Sequence, residues 1–118
     1  MGRQSDPWKY FELAARAATL KDDLRTHKIG AAGVRSDGVL VLASNGPVKT
    51  KRLIPGGHAE VRLCRKMDKH GTVYVVRVAP SGYGLARPCP TCQRALRSRR
   101  VTRVYYTITP NEYGVLDL

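Results

Sequence analysis

The sequence predicts an α/β domain in which helices pack on a mixed sheet. Three observations point there. Apolar residues first recur at helical spacing, at Tyr10, Leu13, Ala14, Ala17 and Leu24. Short β-prone runs follow, and one of them, Thr72 to Ala79, is valine-rich enough to be a central strand buried on both faces. Two further helical stretches each come after a strand and a loop. With 118 residues, 42% hydrophobic and 25% charged, the chain is expected to be one domain, residues 1–118, with a single modest core.

Asp6-Pro7 has the form of a helix start, an N-cap acid followed by proline at the first helical position. The first helix is expected from Pro7 to Leu24, with Trp8 contacting the core. Ile29 to Arg35 reads as a strand, with two alanines and a glycine where something packs close. Asp37-Gly38 is a hairpin signal, and Val39 to Ala43 is the returning strand. Asn45-Gly46-Pro47 ends it. A basic loop from Val48 to Gly57 leads to a second helix, His58 to Lys69, with Gly71 as its stop. After the Thr72 to Ala79 strand, a loop from Pro80 to Arg87 contains Tyr83 between two glycines. A third helix is expected from Cys89 to about Ser98, with Arg97, Arg99 and Arg100 at the end that favours positive charge. Strands at Val101 to Ile108 and Val115 to Leu118, joined by a turn at Pro110 to Gly114, complete five strands. There are no internal repeats.

Two stretches carry chemistry. Cys89 and Cys92, in Pro88-Cys89-Pro90-Thr91-Cys92, present both sulfurs on one face of a first helical turn. His58-Ala59-Glu60 opens the helix before. A zinc ion held by one histidine and two cysteines has three protein ligands and a fourth position for water, the catalytic rather than the structural arrangement. Glu60 stands two residues from the histidine as a proton carrier. A structural zinc site would need a fourth ligand. Cys64, the nearest choice, lies six residues past His58, about 9 Å along the helix, and reads as a core residue. A redox reading of Cys-x-x-Cys gives His58-Ala59-Glu60 no role. His27 and His70 read as surface or helix-end residues.

These residues resemble the cytidine and deoxycytidylate deaminase superfamily, whose members act on free nucleosides or nucleotides, or on bases in RNA and DNA. The resemblance rests on His58-Ala59-Glu60 and Pro88-Cys89-x-x-Cys92, with Lys28-Ile29-Gly30-Ala31, Asn45 and the strand Val104-Tyr105-Tyr106-Thr107. It implies a three-layer fold with a mixed five-stranded sheet. It implies one zinc ion per chain on His58, Cys89 and Cys92, with Glu60 as the acid–base residue. Asn45 and Ala59 are expected at the substrate. Tyr83 could stack on the base, and Arg87 could meet a phosphate. Arg87 departs from the small or acidic residue usual before Pro-Cys. The short last turn implies an antiparallel final hairpin, as in the cytidine deaminase branch.

The charge bears on the substrate. The chain has 21 Lys+Arg against 9 Asp+Glu, a net +12. Between Gly38 and Asn111 stand fourteen basic residues and two acids, Glu60 and Asp68. Such a balance attracts polyanions, and Lys49, Lys51 and Arg52 lie in the loop that reaches His58. The expected activity is cytosine-to-uracil deamination in single-stranded nucleic acid, DNA before RNA. The alternatives are deamination of free cytidine, deoxycytidine or their monophosphates, deamination of adenosine in RNA, and a non-catalytic binding module, which would not need Glu60. Three cysteines are too few for a disulfide scaffold. No run approaches the roughly 20 apolar residues of a membrane span, so an intracellular, cytoplasmic protein with no membrane partner is expected. Oligomeric state is not legible.

Overall fold

The computed structural model describes residues 6–19, 28–44, 59–67 and 70–118. Its elements are helix α1 (Pro7–Thr19), strands β1 (Lys28–Val34) and β2 (Leu40–Ser44), helix α2 (Ala59–Cys64), strands β3 (Thr72–Ala79) and β4 (Gly82–Gly84), helix α3 (Pro90–Ser98), and strands β5 (Arg103–Thr109) and β6 (Glu112–Asp117). The sheet order is β2-β1-β3-β5-β6, with β4 on the end of β3. Only β3 and β5 run parallel; the other pairs are antiparallel. No helix among the described residues is long and apolar enough to cross a membrane.

Strand alternation divides the core into two layers. On β3, Tyr74 and Val76 face α1 and pack with Phe11, Ala14 and Ala15. Val73 and Val75 face the other way, into a cluster with Leu63 of α2 and Leu96 of α3. Ala32 and Ala31 of β1 divide in the same manner. Helices therefore cover both faces, and β3 is the central strand its valines predict. Two glycines let helices approach β1 closely from opposite sides. A Cβ on Gly30 would run into the Ala14 carbonyl of α1, and one on Gly33 into the Met67 sulfur.

The expected hairpin is present. The Arg35 amide donates to the Val39 carbonyl at 2.9 Å, across Asp37-Gly38. The second helix is shorter than its sequence implies. It stops at Cys64, and the Lys66 and Met67 amides both donate to the Leu63 carbonyl, at 2.8 and 3.1 Å, as the last turn tightens. The final hairpin turns at Pro110-Asn111, so β6 starts at Glu112 rather than Val115. Tyr106 pairs with Gly114, which leaves space for the tyrosine ring.

A sixth strand was not expected. Beyond the parallel register of Val75 with Tyr106, the chain after β4 lies between β3 and β5. The Thr107 hydroxyl donates to the Gly84 carbonyl at 2.7 Å and accepts from the Arg77 amide at 3.3 Å. The Ala86 amide donates to the Thr107 carbonyl at 2.9 Å. A fully buried threonine thus satisfies backbone groups of two neighbouring segments. It also sets the path of the chain toward Pro88 and Cys89.

Candidate active site

The start of α3 is built from local rules. Cys89 is its N-cap, with extended backbone, and Pro90 occupies the first turn, where a missing amide costs nothing. The Gln93 amide donates to the Cys89 carbonyl at 2.9 Å, and the Gln93 side chain donates to the Pro88 carbonyl at 2.9 Å. This ties the approach loop to the first helical turn. The two sulfurs, Cys89 Sγ and Cys92 Sγ, lie 3.2 Å apart.

Glu60, in the first turn of α2, reaches this pair. Its side chain is 5% exposed, and its charge is close enough to act on the Cys92 thiol. The two helix starts therefore meet. Burial, the Glu60 charge and the Cys89 sulfur all push the Cys92 thiol up from its ordinary range. A buried thiol beside a carboxylate becomes a thiolate only against added positive charge. Two sulfurs this close also fall within reach of one ion with Zn–S bonds of about 2.3 Å. The donor set fits a cation such as zinc.

Among the described residues no group of three or more His, Cys, Asp and Glu side chains is arranged around a metal position. His58, the third expected ligand, lies outside the described residues, as do Asn45, Lys49, Lys51 and Arg52. Ala59 is fully buried in the α2–α3 cluster, directly before Glu60. Arg87 is exposed on the segment leading to Pro88. Cys64 is buried in the core cluster with Leu63 and Leu96. Burial raises its thiol, and Arg99 partly offsets that.

Tyr83 does not join this group, contrary to the sequence expectation. It packs in the α1 layer, stacked on Trp8 with ring centroids 6.4 Å apart and planes 9° from parallel. Its glycine neighbours place it in β4, whose pairing with β3 directs the ring to the sheet face opposite α2 and α3. Trp8 is its partner there. Thr107 was the converse omission. Within a strand of alternating character only its polarity among buried neighbours marks it, and its role in positioning the Cys89 segment depends on β4.

The pattern described as the cytidine and deoxycytidylate deaminase zinc-binding region matches residues 4–108. The chain belongs to the cytidine and deoxycytidylate deaminase family. As a member of this deaminase family it is a hydrolase whose matched region is zinc-binding. Its fold is similar to that of cytidine deaminase from Burkholderia pseudomallei, known from a 1.6 Å crystal structure. The TM-score is 0.68 over 93% of this chain and 91% of that one, at 19% identity. No curated protein sequence matches the chain.

Proposed function

We propose that this deaminase converts cytosine to uracil in single-stranded nucleic acid, DNA ahead of RNA. The observation that carries the chemistry is the buried Glu60 carboxylate beside the Cys89–Cys92 pair. His58, Cys89 and Cys92 would hold one zinc ion per chain. Bound zinc supplies the acidification of a water molecule. Glu60 accepts a proton from water at its carboxylate and delivers it to cytosine N3 while the water oxygen bonds to C4, where it replaces the amino nitrogen. It then carries the second proton to the leaving amino group, which departs as ammonia. A carboxylate that is not a ligand can serve first as base and then as acid. Ala59, directly before Glu60, and Asn45, as a contact to the sugar, complete the proposed substrate contacts, with Arg87 available to a phosphate.

The net charge of +12 supports the polymer. A monophosphate needs only one or two basic residues, whereas a strand is held by a series of phosphate contacts. Lys49, Lys51 and Arg52 are proposed to supply some of them. The antiparallel β5–β6 hairpin, the arrangement of the cytidine deaminase branch, favours a second reading in which the substrate is free cytidine, deoxycytidine or a monophosphate. Rates measured side by side on cytosine-containing single-stranded DNA, the matching RNA, deoxycytidine and deoxycytidine monophosphate separate the two. Faster conversion of the DNA is expected. Conversion of the monomers with none of either polymer rejects the first reading.

A further inference from the structure

We infer that the outer face of α3, with the adjoining last turn of α2, is a phosphate-binding track for a single-stranded nucleic acid that enters the active site. The inference rests on the polymer reading of the substrate. Helix α3 buries Cys92 and Leu96 and leaves Arg94 and Arg97 exposed, together with Thr91 and Ser98. Arg99 and Arg100 follow, also exposed. The His70 amide donates to the Arg99 carbonyl at 3.2 Å, which joins the end of α3 to the segment after α2. Exposed Arg65 stands in the turn that ends α2.

Among the described residues, the arginines in ion pairs lie elsewhere. Arg16, Arg35 and Arg103 pair with Glu12, Asp37 and Asp117. Arg65, Arg94, Arg97, Arg99 and Arg100 have no carboxylate partner among the described residues. The only acid on α2 or α3 is Glu60, which is buried in the active site. The helix dipole rewards cations in the last turn. That accounts for Arg97 and Arg99, but Arg94 is the fifth residue of a nine-residue helix. Like charges at helical spacing are mildly destabilising, and a polyanion bound on this face would relieve that repulsion.

Placement and chemistry choose among polyanions. The track begins at the turn holding Cys89 and Cys92 and runs about 12 Å along α3 to Ser98. At a rise of about 3.4 Å per nucleotide in a stacked strand, that length passes several phosphates. An anionic membrane would call for an apolar face beside the charges. Among the described residues, the exposed large apolar side chains are Val39, Leu40, Leu85, Ile108, Tyr113 and Val115, none of them on α3. A paired base would first have to be flipped out of its duplex to reach a buried site, whereas a single strand offers it without that cost, which favours a single strand.

The test measures binding of a labelled cytosine-containing single-stranded DNA to zinc-loaded Glu60→Gln protein across a salt series. The same protein carrying Arg94→Gln, Arg97→Gln and Arg99→Gln is compared with it, and Arg16→Gln serves as the control. Each single-strand phosphate contact contributes about 0.7 to the slope of log K against log salt. The triple change is expected to lower the slope by about 2, and Arg94→Gln alone by about 0.7, with the control slope unchanged. An unchanged slope in both arginine variants overturns the inference. So does binding to phosphatidylserine vesicles that depends on these arginines while DNA binding does not. If the slope falls as expected but wild-type protein deaminates only monomers, these arginines do bind single-strand phosphates, and it is the polymer-substrate reading, with the strand's entry into the active site, that fails.

Discussion

Replacing Glu60 by glutamine isolates the proton carrier from everything that surrounds it. The amide has the same shape as the carboxyl, so a side chain that is 5% exposed keeps its packing against the helix starts. It removes the like charge that holds the Cys92 thiol up. Zinc binding should therefore survive. What disappears is the only described carboxylate beside the sulfur pair, and burial limits how readily bulk water can take its place. General acid–base catalysis contributes about 10²–10⁴-fold, and each tenfold corresponds to about 1.4 kcal/mol of barrier. The variant should lose about 3–5 kcal/mol of transition-state stabilisation. Three readouts are needed: the absorbance change on deamination of the preferred substrate, zinc per chain by elemental analysis, and a melting curve. Loss of activity with full zinc and an unchanged Tm is the expected result. Turnover within a few-fold of wild type would remove Glu60 from the chemistry. Loss of zinc would make it part of the metal site instead.

The other two expectations concern the metal and the sheet. Cys89→Ser should lose zinc and lower Tm, because the two helix starts lose a shared anchor, whereas Cys64→Ser should keep its zinc; full zinc in Cys89→Ser refutes the ligand assignment. Gly30→Ala places a methyl group against the backbone carbonyl of Ala14, where neither partner can rotate away. Overpacking of this kind costs about 1–3 kcal/mol, so Tm should fall by roughly 10 °C, and an unchanged melting curve would show that α1 does not sit this close to β1.

Much of the layered architecture was determined by local sequence alone. The valines of Thr72 to Ala79 have one way to be buried on both sides, which is at the centre of the sheet. Asp37-Gly38 leaves the chain little choice but a hairpin. Cys89-Pro90 starts a helix because proline fits there and Gln93 can close the first turn. The spacing of Cys89 and Cys92 sets their sulfurs on one face before any long-range contact forms. Only tertiary structure decided what lies between those elements. Whether Glu60 reaches Cys92 depends on two helix starts, about thirty residues apart in the chain, being packed on the same layer. Strand β4 has three residues, two of them glycine, too weak a local signal to announce itself. It pairs because β3 and β5 part beyond their parallel register and Thr107 supplies the hydrogen bonds that fill the gap. That pairing turns Tyr83 onto Trp8 and away from the site. A residue's neighbours in sequence do not say which face of a sheet it will occupy until the strand beside it is known.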